Sequence, residues 1–280
     1  MLALYPKYIR RFLILGVVLV AVIIAVLTMN PAANRVMWIA MGFLGIAAMF
    51  VSASTSAAQE HGAELSRLYD KLDAEGFVKD YSRHLDQKKI FEDTDLMVRM
   101  HLSNAYAALG AFDKAMEILE NYVPKKKKKN EEAELLNRFA VVSNLCYCAE
   151  QQKNIEKAKD YLTELLELRQ KLDAIQEKKP MNKRMAFNTE LNEQCMQWLE
   201  TGKADVEILK HDVMAVNKQM LPKITTSLWI ARAYLSDNQR REAEKLLKRI
   251  VELAPNLYPG REAAKLLETL PKQEKGKQGQ

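Results

Sequence analysis

Two long apolar segments near the N-terminus constrain this chain more than any other feature. Residues 12–29 form a run of 18 residues and residues 36–54 a run of 19, and neither run contains a Lys, Arg, His, Asp or Glu. About 20 apolar residues span the hydrocarbon core of a bilayer as a helix, and about 17 is near the lower limit. Asn30 and Pro31 interrupt the apolar pattern between the runs. The pattern predicts a hairpin of two transmembrane helices within an anchor of residues 1–56.

Basic residues around the two segments predict their orientation. Three basic residues precede the first segment, whereas the short connecting loop holds only Arg35. Arg67 and Lys71 follow the second segment. Because basic residues accumulate on the cytoplasmic side, we expect both termini in the cytoplasm and the loop outside, in the plasma membrane if the source is bacterial. A signal peptide cleaved near the small residues 51–57 and a hairpin of reversed orientation are the alternatives.

Charge excludes several functions for the rest of the chain. The net charge of +6 comes from the two ends, because residues 57–270 hold equal numbers of basic and acidic groups. A nucleic-acid-binding domain usually carries a basic face, so we expect no nucleic-acid partner. The apolar segments lack the ionisable residues that mark transport paths, which favours a pure anchor.

Residues 57–270 show apolar positions at helical spacing, with almost no alternating strand pattern. Glycine and proline recur at intervals that suit short helices joined into antiparallel pairs. The predicted helices cover residues 57–74, 76–88, 93–109, 112–123, 131–151, 155–176, 183–200, 203–219, 223–236, 239–253 and 260–269. The fold class predicted from this pattern is all-α.

Residues 101–119 carry a repeat-like pattern of small and large residues. Ser103 and Ala115 are small enough to let two helices approach closely, while Tyr106 and Phe112 fill the groove between turns. Gly110 permits the left-handed turn between the helices. With Leu102 and Leu119, this order of residues resembles the tetratricopeptide repeat (TPR).

Two further segments resemble the same repeat. The second copy departs from the pattern where an aromatic is expected, at Ala149 and Ile155, and its other members are Leu145, Cys146, Asn154, Ala158 and Leu162. The third copy is clearer and runs through residues 227–255, closing on Pro255. Residues 183–220 have the length of another helix pair but match poorly, and residues 260–269 resemble a capping helix. The resemblance implies a TPR-like α-solenoid over residues 57–270; an unrelated helical bundle is the alternative.

Sequence motifs for catalysis or metal binding are weak. The sequence contains no phosphate-binding glycine loop with lysine, no His-Glu-x-x-His and no nucleophile-elbow motif. Cys146 and Cys148 lie two residues apart, so on a helix their thiols face different sides and cannot share a metal. We therefore expect no enzyme activity, no cofactor, no metal and no small-molecule substrate.

The resemblance implies a protein that binds protein or peptide partners in a groove lined by the first helix of each pair. Asn104, Asn144 and Arg232 are polar residues of those helices and are the candidate partner-binding residues. The predicted function is a membrane-anchored scaffold on the cytoplasmic face. The alternative is an accessory or regulatory subunit of a membrane complex in which the hairpin makes the specific contact.

Two basic segments are candidates for the membrane surface. The lysine run comprises Lys125, Lys126, Lys127, Lys128 and Lys129. Near an anionic surface each basic residue contributes about 1 kcal/mol, although a solvated loop between helices is the simpler interpretation. Residues 271–280 are rich in Lys, Gln and Gly and predict a disordered basic tail.

Overall fold

The computed structural model describes residues 2–29, 34–85, 92–122, 131–176, 180–216 and 218–270. Helices account for nearly all of these residues, and no strand occurs among them. The α-helices are α1 (Pro6–Met29), α2 (Arg35–Tyr69), α3 (Ala74–Tyr81), α4 (Glu92–Ala108), α5 (Phe112–Glu120), α6 (Glu131–Gln151), α7 (Ile155–Gln176), α8 (Pro180–Thr201), α9 (Val206–His211), α10 (Met220–Ser236), α11 (Arg240–Leu253) and α12 (Tyr258–Thr269). The fold is all-α, as the sequence predicts.

The chain divides into two compact units. The first comprises residues 1–66 and 81–98, and the second comprises residues 67–80 and 99–280. Helices α2 and α4 each contribute residues to both units. The sequence-based boundary between residues 56 and 57 concerns the membrane anchor and remains a prediction.

The first unit contains a hairpin of two long apolar helices. Helix α1 and helix α2 are both long and apolar enough to cross a bilayer. The ring of Phe12 meets that of Phe50 edge-on, with centroids 5.8 Å apart. Gly42 and Gly45 lie against side chains of α1, because a Cβ at Gly45 would come within 2.8 Å of Leu19 Cδ2. The two helices therefore approach closely at glycine, while most of their apolar side chains remain exposed.

Helix α2 is longer than the sequence predicts. The pattern predicts a second apolar helix ending near Ser54 and a separate helix over residues 57–74, but α2 runs without a break from Arg35 to Tyr69. Residues 52–58 contain only Ser, Thr and Ala, which reduce hydropathy without interrupting helical hydrogen bonding. The predicted break between these two helices is wrong, because a drop in hydropathy does not by itself end a helix.

A buried polar cluster closes one end of the first unit. The hydroxyl of Tyr5 donates to Glu64 Oε2 at 2.7 Å, and Nε2 of His84 lies 3.2 Å from the same oxygen. Arg83 pairs with the other carboxylate oxygen of Glu64. His61 and His84 are both almost fully buried here. The cluster holds the N-terminal segment against α2 through hydrogen bonds to one carboxylate.

The second unit consists of antiparallel helix pairs in the TPR-like α-solenoid arrangement. Helix α6 packs on α7, α10 packs on α11, and α12 packs on α11 as an additional helix. A core of Phe139, Val142, Leu165, Leu172 and Met185 joins α6, α7 and α8. The predicted capping helix is present as α12, which begins two residues earlier than the sequence predicts.

Helix α12 also contacts the turn between α4 and α5. Arg261 Nη2 donates to the carbonyl of Leu109 at 2.8 Å, and the ring of Tyr258 meets that of Phe112 edge-on at 4.8 Å. The hydroxyl of Tyr258 donates to the carbonyl of Gln151 at 3.2 Å. The last helix therefore packs on the ends of the first two pairs.

The same turn ends the first helix of all three recognised repeats. Each turn contains one residue of positive φ: Gly110 (77°), Lys153 (57°) and Asn238 (59°). The next amide donates to a carbonyl five residues back, at 2.9 Å for Ala111, 2.9 Å for Asn154 and 2.8 Å for Gln239. This is the Schellman pattern, in which the left-handed residue lets the chain reverse while the last carbonyls stay bonded. The first helices of α4–α5, α6–α7 and α10–α11 therefore end in equivalent turns.

The poorly matching segment, residues 183–220, departs from this pattern. Its first helix, α8, ends before Gly202, which has a φ of 72°, but its second part is the short helix α9 followed by a π-helical turn at Asp212–Val216. The sequence predicts one regular helix over residues 203–219. Asp205 caps α9 by accepting a hydrogen bond from the Glu207 amide at 2.9 Å. Here the helix begins later than predicted and changes its hydrogen-bonding register at Asp212.

Gly110→Ala is expected to lower the free energy of unfolding of the second unit by about 1–2 kcal/mol. A left-handed backbone is less favourable by that amount for a residue with a Cβ than for glycine. The new Cβ would also come within 3.1 Å of Tyr258. The matched control is Lys153→Ala at the equivalent left-handed position, which exchanges one side chain for another and should change stability by less than about 0.5 kcal/mol. Urea unfolding of the full chain in detergent measures the stability of both variants. Equal effects of Gly110→Ala and Lys153→Ala would contradict the conclusion that the turn at Gly110 requires glycine.

Candidate functional site: a groove lined by the first helices of the pairs

A cavity of about 540 Å³ lies on one side of the second unit. Its lining residues come from the first helices of the pairs, α4, α6, α8 and α10, together with Tyr69 and Asp212. Within the part of the chain that the structure describes, no residue of α5, α7, α11 or α12 lines the cavity. We call this cavity the groove. It occupies the side of the helix pairs that the resemblance assigned to partner binding.

Two of the three predicted partner-binding residues line the groove. Asn104 donates from Nδ2 to the hydroxyl of Tyr69 at 2.9 Å, and Asn144 donates from Nδ2 to the carbonyl of Ala140 in its own helix at 3.0 Å. Both side chains are partly exposed. Because both residues line the groove, a chain bound there could reach their amide groups. Their role in binding remains a prediction.

The third predicted residue, Arg232, lies in the packing between helices. Its side chain is only 4% exposed, and its guanidinium carbon stands 4.5 Å from the ring centroid of Trp229. Nη1 also lies 3.5 Å from Gln151 Oε1. Arg232 does not line the groove. Its guanidinium stacks on the Trp229 ring and lies next to the buried side-chain amide of Gln151. The resemblance placed this polar residue on the first helix of a pair, but did not identify the face of that helix on which it lies.

The lysine run, Lys125 to Lys129, falls outside the described residues. Its predicted contact with a membrane surface remains a prediction.

Two asparagines of α8 add to the polar lining. Asn188 donates from Nδ2 to Ser143 Oγ at 2.7 Å, and Asn192 donates to the carbonyl of Asn188 at 2.7 Å. Both line the groove with Asn104 and Asn144. Neither was predicted to line the groove, because residues 183–220 match the repeat pattern poorly. Their spacing of four residues, which places them on one face of a helix, was the available signal.

Two buried carboxyl groups that the repeat pattern did not predict also line the groove. Glu150 is 1% exposed and Asp212 is 2% exposed. The Cys146 thiol lies 3.4 Å from Glu150 Oε1, and Thr226 Oγ1 donates to Asp212 Oδ2 at 2.6 Å. Burial raises the pKa of Glu150 well above its ordinary value. Glu150 directly follows an uncharged stretch, residues 145–149, and this isolated charge was the sequence signal.

The cysteines near the groove are unsuited to nucleophilic chemistry. Cys146, Cys148 and Cys195 are all buried. Burial raises the pKa of the Cys148 thiol to about 12 and also raises the pKa values of Cys146 and Cys195. A thiolate is the reactive form, so these thiols are poor nucleophiles at neutral pH. Among the described residues, no group of three or more His, Cys, Asp or Glu side chains could hold a metal ion.

Comparison with known proteins supports the repeat assignment over part of the chain. A family model described as tetratricopeptide repeat matches residues 226–257, which comprise most of α10, all of α11 and the turn that follows. Neither the comparison with curated proteins nor the comparison with solved structures gives a match. The chain is therefore a helical protein that contains a tetratricopeptide repeat, a module that characteristically mediates protein–protein interaction.

Glu150→Gln is expected to stabilise the second unit, and to do so increasingly as pH rises. Since burial raises the folded-state pKa of Glu150, the folded chain holds a proton that the unfolded chain has lost above about pH 4.5. Wild-type stability therefore falls with rising pH through this window, by about 1.4 kcal/mol per pH unit, and the neutral amide removes the loss. Unfolding curves at pH 5, 6, 7 and 8 measure the difference between variant and wild type.

The matched control for this experiment is Glu156→Gln, at an exposed position in the first turn of α7. It should show no such pH-dependent gain. A constant difference between Glu150→Gln and wild type across the pH range would contradict the raised pKa of Glu150.

Proposed function

We propose that this protein is a membrane-anchored scaffold whose repeat unit binds a protein segment in the groove. The observation that carries the proposal is the 540 Å³ groove on the first helices of the pairs, lined by a mixture of amide, hydroxyl and apolar side chains. Such a lining can bond to a peptide backbone and also pack against its side chains. In this proposal residues 1–56 are the anchor, residues 57–270 the repeat region and residues 271–280 a basic tail.

The surface of the helical hairpin supports the membrane anchor. No residue of α1 is buried, and side chains such as Leu13, Val17, Phe43 and Leu44 are more than half exposed. An apolar surface of this extent is costly in water but favourable in a bilayer. The ion pair between Lys7 and Glu60 lies outside residues 12–29 and 36–54, where it can stay hydrated.

The proposed topology has both termini in the cytoplasm and the short loop outside. Cysteine labelling of intact cells tests it, because the native cysteines are buried and their thiols are poorly reactive. A membrane-impermeant maleimide should label Ala33→Cys in intact cells, and should label Lys71→Cys only after the membrane is permeabilised. The reverse pattern would place the repeat unit outside, and loss of the N-terminal segment from the mature protein would establish cleavage.

Binding in the groove predicts that partners crosslink from one face of the repeat unit. Asn144 lines the groove, where its amide bonds to a carbonyl of its own helix. A photoreactive amino acid in its place should therefore give adducts with a partner bound in the groove, in membranes. The matched control position is Lys248, an exposed residue of α11, which does not line the groove. Mass spectrometry of the adducts identifies the partner and the contacted segment.

Equal adducts from both positions would contradict groove binding. Adducts obtained only from a probe within the hairpin, such as at Phe43, would favour the second candidate, an accessory subunit that contacts its complex through the membrane helices. The exposure of the Phe43 side chain, 71%, is the observation in favour of that candidate.

A further inference from the structure

Helices α6 and α8 line the groove side by side and run in the same direction. Phe139 of α6 shares a core cluster with Met185 of α8. About one turn further along both helices, Ser143 accepts a hydrogen bond from Asn188 Nδ2 at 2.7 Å. Because both contacts advance along the two helices together, corresponding residues of α6 and α8 lie at the same level of the groove.

The lining that α6 contributes changes from apolar to polar along this direction. Its first members are Leu136 and Phe139, and its last members are Tyr147 and Glu150. Ser143 and Asn144 lie between them and carry a hydroxyl and an amide. Met185 of α8 extends the apolar part at the level of Phe139. The groove therefore has an apolar part near the middle of α6 and a polar part near its end.

Aromatic side chains form much of the groove wall. The rings that line it include Phe139, Tyr147, Phe187 and Trp229. The Trp229 ring is held in place by its neighbours, since the Trp198 ring meets it edge-on at 5.4 Å and the Arg232 guanidinium carbon lies 4.5 Å from its centroid. A side chain that is already ordered loses little conformational freedom when a ligand binds. This wall is therefore suited to packing against a flat ring, in edge-on or offset contacts.

Glu150 supplies a hydrogen-bonding group at the polar end of the α6 lining. Its side chain is 1% exposed, so a ligand reaches the carboxyl group only by entering the groove. Burial raises the pKa of this group well above its ordinary value, which favours the protonated form. The Cys146 thiol bonds to one carboxyl oxygen, Oε1, at 3.4 Å. A protonated carboxyl group both donates and accepts hydrogen bonds, so it is well matched to a hydroxyl group.

We propose that the groove binds a tyrosine side chain of the partner protein, with the ring against the aromatic wall and the phenol hydroxyl at Glu150. This inference rests on the proposed function and specifies the chemistry of the partner. A tyrosine has an apolar body and a polar tip, as the lining of α6 has along its length. The phenol hydroxyl is both a donor and an acceptor, like the carboxyl group that it meets.

Other side chains of a partner match this lining less well. Phenylalanine has the same ring, but it would cover the buried carboxyl group without bonding to it, which is costly. Serine and threonine carry a hydroxyl group without a ring for the wall, and the tryptophan ring nitrogen donates but does not accept. A phosphorylated tyrosine would bring nearly two negative charges into a buried site beside a carboxyl group. The unmodified phenol combines the ring with a neutral polar tip.

Capped amino acids test this preference on the full chain in lipid nanodiscs. The probes are N-acetyl-L-tyrosinamide, N-acetyl-L-phenylalaninamide and N-acetyl-O-phospho-L-tyrosinamide, which share the same backbone amides. The Kd of the tyrosine probe, measured by ligand-observed NMR, should be lower than that of the phenylalanine probe by about tenfold or more, because a site that bonds to a hydroxyl group rejects the analogue without it. The phosphorylated probe should bind more weakly than the tyrosine probe. Equal Kd values for the tyrosine and phenylalanine probes would overturn the proposal.

Two variants of Glu150 separate hydrogen bonding from a structural role. Glu150→Leu removes the donor and the acceptor, and should weaken binding of the tyrosine probe by about tenfold while leaving the phenylalanine probe unaffected. Glu150→Gln restores a donor and an acceptor, and should recover most of the preference for tyrosine. Glu156→Leu, at an exposed position of α7, is the matched control and should bind both probes as wild type does. A preference for tyrosine that persists in Glu150→Leu would overturn the role of Glu150.

The comparison of probes on wild type needs no variant, so it remains decisive if Glu150→Leu does not fold. Phe187→Leu then tests the wall, because Phe187 is partly exposed and lines the groove. Loss of this ring should weaken the tyrosine and phenylalanine probes by the same factor, since both probes carry the ring that it contacts. Unchanged Kd values for both probes would overturn the placement of the ring against this wall.

Crosslinking from position 144 separates this inference from the proposed function. An adduct whose contacted segment contains tyrosine, and whose yield falls when N-acetyl-L-tyrosinamide is added, would support both. An adduct that the probe does not reduce, or whose segment lacks tyrosine, would overturn the tyrosine side chain but leave the scaffold function intact. Absence of any adduct, together with selective binding of the tyrosine probe, would overturn the partner protein and with it the scaffold function.

Discussion

Close approach of small residues within each helix pair is the contact on which the repeat unit depends. Ser103 and Ala115, Cys146 and Ala158, and Ala231 and Ala243 form three such sets, and all six residues are at most 1% exposed. In the second pair the contact is direct, since Cys146 Sγ lies 3.7 Å from the carbonyl oxygen of Ala158. A larger side chain would separate the helices and displace the first helices that line the groove, because cores of this density do not absorb added volume.

The sequence predicted the parts of the fold that local chemistry determines. Helices α6 and α7 have the predicted bounds, and the turn between them interrupts the helical pattern before Ile155. Gly110 forms the left-handed turn that the sequence predicts, and Asn238 adopts the same conformation, since Gly and Asn reach positive φ at little cost. In the second repeat, however, the left-handed residue is Lys153, and Asn154 caps the next helix by accepting from the Lys157 amide at 3.2 Å. Lysine gives no local signal for this conformation, so only the equivalence of the three turns reveals it.

The groove was harder to predict than the helices, because its character depends on contacts between distant residues. The resemblance to the repeat placed Asn104 and Asn144 on the first helices of pairs, and both line the groove. It also placed Arg232 on a first helix, but the guanidinium of Arg232 packs on Trp229, because a repeat pattern does not say which face of a helix its neighbour covers. Asp212 enters the groove through a π-helical turn in a segment that the repeat pattern does not describe. The sequence predicted which helix each of these residues lies on, but not whether its side chain is buried.

Glu150 shows how a buried ionisable group limits the stability of the repeat unit. Its burial raises its pKa and weakens the folded state when the carboxyl group ionises, and a glutamine would avoid this cost. The buried thiols cannot use this charge for catalysis, since burial and the nearby carboxylates raise their pKa values away from the thiolate form.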